Sequence, residues 1–360
     1  MAAFSADTPF RRGPHLQDEF FDSSCIEADP ISISKVNDLS KESVTWVTID
    51  EGSETQRIDN FLVKHLKGVP KSHLYRILRS GEVRVNSKRV DASYRLQAGD
   101  VLRIPPIRVS QPNPSKHQGG APISGPRLNQ AILYEDDVLL AINKPAGMAV
   151  HGGSGISRGV IEQLRLERPE AKFLELVHRL DRETSGVLLI GKKRSALVAL
   201  HQAMREGLMD KRYLVLVKGK WRNQKQSVRL SLHKYLTPDG ERRVSVSDDG
   251  QASHTIFHLK QAWQDFSLLE AELKTGRTHQ IRVHLAHLGF PIAGDDKYGD
   301  FGLNKELQKR GLKRMFLHAW QITITHPVTG KPLHLEASLP EELGRFLQSL
   351  EVASIQTHDN

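Results

Sequence analysis

The chain has 360 residues, with 51 Lys and Arg against 42 Asp and Glu, which gives a formal net charge of +9. This length allows about two or three domains, and the basic excess suits a polyanionic partner. The single cysteine, Cys25, excludes a disulfide framework and a multi-thiolate metal site. No apolar run approaches the roughly 20 residues of a membrane helix and no secretory signal is found, so we expect a cytoplasmic protein without a membrane segment.

The first part of the chain, residues 1–54, is predicted to be a disordered acidic tail. Its first 50 residues contain nine acidic and four basic side chains and show no sustained apolar periodicity. Such a segment buries too little apolar surface to offset the entropy lost on ordering. The rest of the chain is therefore more basic than the total charge indicates.

Residues 55–104 are predicted to form a small αβ unit. Apolar residues at helical spacing indicate two short helices, the second opened by Pro70 and capped by Gly81. The segments that follow, EVRVNSKRV and YRLQAGDVLRI, alternate like strands and contain turns. Between residues 56 and 104 there are eleven Lys and Arg against four acidic residues, a basic density far above that of the whole chain.

The remaining chain is predicted to contain a linker, one large domain and a short tail. Six prolines and three glycines between residues 105 and 127 indicate a linker at 105–129. Residues 130–350 contain many strand-like runs, several of them without a helix between, and fewer helical patterns, chiefly VIEQLRLE, SALVALHQAMREG and THQIRVHLAHLG. We therefore predict an α+β fold with a mixed, largely antiparallel sheet, followed by a C-terminal tail at 351–360.

Three polar clusters interrupt the large domain: NKPAGMAVHGG, HRLDRETSG and GRTHQIRVH. In the second, Asp181 stands between Arg179 and Arg182, and the residues ETSG that follow lead into the apolar strand VLLIG. An adjacent opposite charge favours the ionised form of a carboxylate, which a nucleophile or general base requires. An ordinary ion-paired loop explains the same pattern, so both interpretations stay open at this point.

The third cluster supplies a basic partner for such a carboxylate. If THQIRVHLAHL is helical, Arg277 and Arg282 project beside His279, and one of them can reach a carboxylate elsewhere; a helix with a solvated basic face is the alternative. The histidine spacing differs from that of zinc metalloproteases, and the glycine motifs of hydrolases, NTPases and dinucleotide-binding proteins are missing. A glycosidase needs a second carboxylate, and the sequence does not pair Glu183 with Asp181.

The clusters also resemble the motifs of a known enzyme family. HRLDRETSG, with NKPAG followed by VHGG, KRYLVLVKG and GRTHQIRVH, is similar in order and spacing to the motif set of the RluA-type pseudouridine synthases. TQRIDNFL with VPKSHLYRILRSGEVRVNSKRV resembles an S4 RNA-binding domain. Together the resemblances cover about residues 55–345, and they imply a pseudouridine synthase fold preceded by an S4-like domain.

The resemblance implies an enzyme that isomerises uridine in RNA without a metal or any other cofactor. It assigns Asp181 as the catalytic aspartate and Arg179 as the residue that helps to displace the target base. It implies that Tyr213 stacks on the uracil, that Ile281 lines the pocket and that Arg282 pairs with the aspartate. A base inside a helix is unreachable, so the nucleotide must be extruded and held.

The resemblance to one branch of the family further implies that the partner is large-subunit (23S) ribosomal RNA, and we expect a monomer that binds no nucleotide cofactor. The residues expected to contact RNA are Arg57, Lys71, Arg76, Arg79, Arg84, Lys88, Arg182 and Arg277. Two alternatives are a non-catalytic RNA-binding or ribosome-assembly factor, and a synthase acting on transfer RNA or on other ribosomal uridines.

Overall fold

The computed structural model describes residues 31–32, 43–66, 69–107, 127–152, 158–238 and 240–356. The chain divides into two compact units, one made of residues 1–49, 57–94 and 99–110 and the other of 50–56, 95–98 and 111–360. Most of the predicted linker, at 108–126, and most of the predicted tail lie outside the described residues. No helix in the described part of the chain is long and apolar enough to span a bilayer.

In its described residues, the smaller unit contains two helices and a five-stranded sheet. Its elements are β1 Ile31–Ser32, β2 Thr45–Thr48, α1 Ile58–His65, α2 Lys71–Arg79, β3 Arg84–Val85, β4 Lys88–Arg89 and β5 Val101–Ile104. The described strands are ordered β1-β2-β5-β3-β4. Both predicted helices are confirmed: Pro70 is the N-cap of α2, and Gly81, with φ at +75°, follows its end. Glycine adopts this left-handed conformation without the steric cost of a side chain.

The predicted boundary of the N-terminal tail at residue 54 is wrong. Strand β2 pairs antiparallel with β5, with Thr45 opposite Ile104. Thr45 and Val47 are buried, because alternate residues of this strand face the core of the unit, and Ile49, directly after the strand, is buried as well. The run is short and directly follows the acidic segment, which is why its alternation was assigned to the tail.

The larger unit is built on one sheet with helices around it. Its strands are β6 Ile132–Glu135, β7 Leu139–Lys144, β8 Glu175–Leu176, β9 Ser185–Gly191, β10 Asp210–Lys218, β11 Lys225–Leu236, β12 Arg242–Val246, β13 Gln251–Ala262, β14 Phe266–Leu273, β15 Leu317–Thr325 and β16 Pro332–Glu336. Its helices are α3 Val160–Glu167, α4 Arg194–Arg205, α5 Gln280–His287, α6 Phe301–Lys309 and α7 Glu341–Gln356. Two short 3₁₀ turns occupy Glu51–Ser53 and Leu128–Ala131.

The described strands of this sheet are ordered β12-β11-β13-β14-β10-β15-β9-β7-β6, with β16 beside β15 and β8 beside β9. Strands β9 and β15 pair in parallel, and the other pairings in the described part of the sheet are antiparallel. The predicted α+β class with a mixed, largely antiparallel sheet is confirmed. The predicted start of the C-terminal tail at 351 is wrong, because α7 continues to Gln356.

The hydrophobic core of the larger unit lies directly beneath the central strands. One cluster joins residues of β7, β9, β10, β13 and β14 to α3 and α5, and it includes Tyr213, Ile281 and Leu317. These three side chains also line a cavity on the surface of the unit. The polar clusters of the sequence therefore rest on a packed and rigid floor.

Candidate active site

Asp181 lies on the loop that joins β8 to β9. The loop closes on itself, since the backbone N–H of Thr184 donates to the carbonyl oxygen of Asp181 at 3.1 Å. Leu180 is buried on one side of the aspartate, and every residue of β9 is buried on the other. The prediction that this carboxylate lies on a loop leading into a buried strand is confirmed.

Two basic side chains, the buried Lys144 and the partly buried Arg314, hold the main chain of this loop. The ammonium of Lys144 donates to the carbonyl oxygens of Pro145 at 2.7 Å, Met148 at 2.8 Å and Arg182 at 3.1 Å. The guanidinium of Arg314 donates to the carbonyl oxygen of Glu183 at 3.1 Å. Burial lowers the pKa of Lys144 to about 7. These contacts join the first polar cluster, NKPAG, to the loop that carries Asp181.

The end of the loop is fixed by a buried histidine. His318 of β15 lies opposite Ser185 of β9, and its Nδ1 is 2.9 Å from the Ser185 hydroxyl. Its Nε2 is 2.9 Å from the carbonyl oxygen of Ala337, an acceptor only, so Nε2 carries the proton and Nδ1 accepts from the serine. Burial lowers the pKa of His318 to about 4.

We expect this histidine to make the protein less stable in acid. An unfolded histidine binds a proton below about pH 6.5, whereas His318 in the folded protein does so only near pH 4, so the stabilisation is complete above 6.5 and is lost as the pH falls towards 4. Between near-neutral pH and about pH 4, the wild-type should lose about 2 to 3 kcal/mol more unfolding free energy than His318→Gln. Urea unfolding at both pH values measures the difference. Equal losses in the two proteins would contradict the expectation.

The loop and the GRTHQIR segment face each other across a cavity of about 120 Å³. Five residues assigned from the resemblance line it together: Arg179, Asp181, Tyr213, Ile281 and Arg282. Ile281 and Tyr213 come from the core beneath, while Asp181 keeps 25% of its side chain exposed. The cavity thus combines an apolar and aromatic floor with a carboxylate that a ligand can reach.

Arg282 connects Asp181 to a second, deeper carboxylate. Its side chain is 4% exposed, and its Nε and Nη2 donate to the two oxygens of Asp295 at 2.7 and 2.6 Å. Its Nη1 lies 3.4 Å from Oδ2 of Asp181, and its Nη2 lies 3.4 Å from Oδ1 of Asp296. The bidentate pair with Asp295 fixes the guanidinium, which leaves a longer, single contact to Asp181. Asp181 is therefore oriented by the cation without being tightly enclosed.

Asp295 is fully buried and its charge is compensated. Burial alone would raise the pKa of this carboxyl, but the hydrogen bonds and charge of Arg282 outweigh that effect and hold the pKa below its usual value. The backbone N–H groups of Lys297 and Tyr298 also donate to Oδ1 of Asp295, at 2.8 and 3.1 Å.

His279 and Tyr298 form a hydrogen-bonded pair, and His279 approaches Asp181 from another side. The Tyr298 hydroxyl accepts from the N–H of Val244 at 2.9 Å and lies 2.8 Å from Nδ1 of His279. If the hydroxyl donates its own proton to Nδ1, Nε2 carries the ring proton and faces Oδ2 of Asp181 at 3.7 Å, the arrangement that suits a carboxylate. Burial lowers the pKa of His279, so the ring is neutral near pH 7.

The prediction for the start of this helix is wrong in part. Helix α5 begins at Gln280, and His279 is its N-cap with a left-handed φ of 53°. Arg277 therefore lies in the preceding loop, where its Nε donates to the carbonyl oxygen of Ala252 at 3.2 Å. The turn aims the His279 ring at the cavity, which a continuous helix through residues 277–279 would not do.

Tyr213 cannot serve as a base in this cavity. It is buried in strand β10, and burial, with a further contribution from the charge of Asp181, raises the pKa of its phenol well above the ordinary value. The phenol is therefore neutral throughout the physiological range. Its aromatic ring is then the part of the side chain available for contact with a ligand.

Comparison with known proteins identifies the family. A family model described as RNA pseudouridylate synthase matches residues 138–287, and an S4 domain model matches residues 56–102. Ribosomal large subunit pseudouridine synthase C of Haemophilus influenzae is 50% identical over 317 residues, covering 87% of this chain and 97% of that protein. The chain belongs to the RNA pseudouridylate synthase family. It is thus an RNA pseudouridine synthase, an isomerase, with an N-terminal S4 domain, and the family resemblance is confirmed.

Further similarities agree with this assignment. Ribosomal large subunit pseudouridine synthase C of Escherichia coli K12 is 52% identical over 318 residues, covering 86% of this chain and 98% of that protein. Among solved structures, human RNA pseudouridylate synthase domain containing 4 is 26% identical with a TM-score of 0.52 and covers 62% of this chain and 94% of its own.

The remaining predicted residues lie outside the small cavity or at its rim. Arg277 lines the cavity, whereas Arg182 is not among its lining residues and donates to Glu183 at 2.9 Å. The six basic residues predicted in the smaller unit are all exposed: Arg57, Lys71, Arg76, Arg79, Arg84 and Lys88. Arg57 is already paired with Asp59 at 2.7 Å, so its charge is partly used within the fold.

Sequence reasoning assigned no role to Asp295, Tyr298, Lys144 or Arg314. A faint signal for the first two was present, because the polar run GDDKYGD directly follows the apolar segment FPIA. For Lys144 the motif NKPAG was noted, but its contact with the carbonyl of Arg182 joins residues 38 positions apart.

Proposed function

We propose that this synthase converts specific uridines of large-subunit (23S) ribosomal RNA to pseudouridine, with Asp181 as the reacting carboxylate. The observation that carries the proposal is the half-buried Asp181 held 3.4 Å from the fixed guanidinium of Arg282, in the cavity floored by Tyr213. The choice of RNA is supported by the relatives named ribosomal large subunit pseudouridine synthase C, at 50% and 52% identity. A ribosomal RNA substrate also supports a cytoplasmic location.

The reaction breaks the bond from C1′ of the ribose to N1 of the uracil, turns the base, and forms a bond from C1′ to C5. The proton lost at C5 is balanced by one gained at N1, so substrate and product are isomers and the atoms balance without a cofactor. Asp181 acts either as a nucleophile or as a base that removes a ribose proton, and both routes need an ionised carboxylate beside the ribose. The contact with Arg282 stabilises that charge.

The other cavity residues hold the extruded nucleotide. Arg179 is exposed at the mouth of the cavity, where it can take the place of the displaced base. Ile281 and the ring of Tyr213 form apolar surface for the uracil, since stacking on an aromatic face is worth about 1–3 kcal/mol per base. Energy released by stacking offsets the cost of unpairing the target.

This role predicts different effects for two substitutions of Tyr213. Tyr213→Phe keeps the ring and should retain kcat/KM within about threefold, whereas Tyr213→Leu should lose about 10- to 100-fold, the equivalent of one base stack. Single-turnover tritium release from RNA labelled at C5 of uridine measures both. Equal damage by the two substitutions would assign the role to the hydroxyl instead.

The smaller unit supplies affinity through phosphate contacts. Helix α2 buries Leu74, Ile77 and Leu78 and exposes Arg76 and Arg79 on the opposite side. Tyr75, 40% exposed, directly precedes Arg76 on the same helix and offers an aromatic surface. An exposed basic face of this kind suits binding of a phosphate backbone with little sequence selection.

Neutralising this face should weaken binding in a salt-dependent way. For Arg76→Gln with Arg79→Gln, we expect the slope of log affinity against log salt to become shallower by about 1.4 to 1.8. The matched control Arg345→Gln removes an exposed arginine of the larger unit, on α7. Fluorescence anisotropy at several salt concentrations gives the slopes, and identical slopes would remove Arg76 and Arg79 from the RNA contacts.

The experiment that tests the proposed function is a map of pseudouridines. Ribosomal and transfer RNA from a strain lacking the protein should lose pseudouridine at specific positions of 23S ribosomal RNA, and the purified enzyme should restore them. Loss confined to transfer RNA or to small-subunit RNA would show a different substrate. No loss anywhere would favour a non-catalytic RNA-binding or assembly factor.

A further inference from the structure

A second cavity lies beside the first and shares a wall with it. Its volume is about 610 Å³, within the range of small-molecule sites. Arg179, Tyr213 and Gly276 line both cavities. A nucleotide seated against Tyr213 therefore has this larger space next to it.

The second cavity is strongly basic. The charged side chains along it are Arg179, Arg205, Lys211, Lys274 and Arg277, and no carboxylate occurs among the described residues that line it. His178, also in its wall, is neutral because burial lowers its pKa to about 4. A cavity with this lining attracts an anion and repels a cation.

Lys211 differs from its neighbours in having no ionic partner within the described part of the chain. Arg212 pairs with both Asp210 and Glu270, and Lys274 pairs with Glu272. For the ammonium of Lys211, no hydrogen-bond acceptor or carboxylate is found within contact distance among the described residues. Burial lowers the pKa of this ammonium, although the charge of Asp210 acts in the opposite direction. A partly buried charge without a partner is costly unless a ligand completes the site.

Lys211 lines the second cavity, and its ammonium lies near the wall that the two cavities share. Its Nζ is 4.0 Å from the place that a Cβ would occupy on Gly276, one of the residues that line both cavities. Lys211 and Tyr213 are two residues apart on β10, so their side chains lie on the same face, about 7 Å apart along the strand. One RNA strand can therefore stack a base on Tyr213 and present a neighbouring phosphate to Lys211.

We propose that Lys211 and the basic cavity around it form a subsite for a phosphodiester of the RNA strand next to the target uridine. This subsite rests on the proposed function, which places the uridine against Tyr213. It deepens that function by fixing the path of the strand: the backbone leaves the active-site cavity past Gly276 and runs over the ammonium. The single negative charge of the phosphodiester pairs with the ammonium of Lys211, and the other basic side chains of the cavity strengthen the attraction for the RNA backbone.

The test compares full-length wild-type with Lys211→Met, which keeps the length of the side chain and removes its charge. The probe is an RNA oligonucleotide containing a uridine that the wild-type converts. Kd and KM should rise about tenfold at low salt with a smaller change in kcat, and the salt slope should fall by about 0.7, as expected for one lost phosphate contact. Lys309→Met, an exposed lysine on α6, is the matched control and should bind like wild-type.

A second measurement identifies the phosphate. Neutral methylphosphonates are placed one at a time on each side of the target uridine. At one position the methylphosphonate should weaken RNA binding by wild-type about tenfold and leave binding by Lys211→Met unchanged. The methylphosphonate and the substitution remove the same contact, so their effects do not add. If thermal melting shows that the Met variant is less stable, Lys211→Gln repeats the series.

Wild-type binding and conversion in the same samples separate the two proposals. The subsite is overturned, and the function left intact, by the following result. Wild-type converts the uridine, the Lys211 variants bind RNA like Lys309→Met, and no methylphosphonate position affects wild-type and the Lys211 variants differently. Failure of wild-type to convert any uridine in ribosomal RNA overturns the function and the subsite with it.

Discussion

Asp181→Asn will lower the rate of uridine conversion by about 10⁴-fold or more, the size of effect seen when a reacting group is removed. Asparagine has the shape of aspartate, but its amide neither attacks a carbon centre nor accepts a proton near neutral pH. RNA affinity should stay within about threefold of wild-type, because phosphate contacts elsewhere supply most of it. Tritium release from RNA labelled at C5 of uridine gives the rate, and fluorescence anisotropy gives the affinity.

Asp296→Asn is the matched control for this experiment. Asp296 lies 3.4 Å from the same guanidinium as Asp181, yet its side chain is 64% exposed and it does not line the cavity. The conversion rate of Asp296→Asn should equal that of wild-type within about twofold, since exposed ion pairs contribute little. A wild-type rate for Asp181→Asn, or equal damage by both substitutions, would refute the assignment of Asp181.

Asp295→Ala will destabilise the fold more than any other single change considered for this site. The side chains of Asp295 and Arg282 are 0% and 4% exposed, and removing the acid leaves a buried guanidinium without its bidentate partner. Breaking a buried pair in this way costs about 3–5 kcal/mol of unfolding free energy. Urea unfolding at neutral pH measures the loss, with Asp296→Ala expected to lie within about 0.5 kcal/mol of wild-type.

The Asp295–Arg282 pair also determines how the stability of the protein changes as the pH falls. Because the folded pKa of Asp295 is below its unfolded value, the stabilisation is complete above the unfolded pKa, near 3.8, and is lost as the pH falls through the folded pKa. Asp295→Ala should therefore lose less stability than wild-type on acidification below about pH 4. A pH dependence identical to that of wild-type would show that this carboxyl is not the group that titrates.

The sequence was sufficient for the parts of the fold that rest on local pattern. The apolar run after Ser185 predicted a buried strand, and the spacing of Leu74, Ile77 and Leu78 predicted the face of α2 that the structure buries. Strand β2 was missed, because four residues of alternation next to an acidic segment are too few to outweigh composition. The left-handed turn at His279 was also missed, since non-glycine residues rarely adopt it and no local pattern announces it.

Residues of the candidate site were predictable only where they belong to a recognisable sequence motif. Motif resemblance assigned Asp181, Tyr213 and Arg282, and the structure places all three around one cavity. Asp295 was not predictable, because its pairing with Arg282 depends on how the chain turns back after α5 rather than on its neighbours in sequence. Lys144 was missed for a similar reason, as its contacts with the loop are made through backbone carbonyls, which leave no trace in residue identity.

The anchoring of the Asp181 loop through its main chain has a consequence for how such an enzyme can change its target. Lys144 and Arg314 donate hydrogen bonds to the carbonyl oxygens of residues 182 and 183, not to their side chains. Arg182 itself points to solvent, with 60% of its side chain exposed. Substitutions at residues 182 and 183 can thus alter which part of the RNA the loop contacts, while the Asp181 carboxylate keeps its position. Under the proposed function, RNA contact at residue 182 and chemistry at Asp181 can therefore vary independently, although the two residues are adjacent.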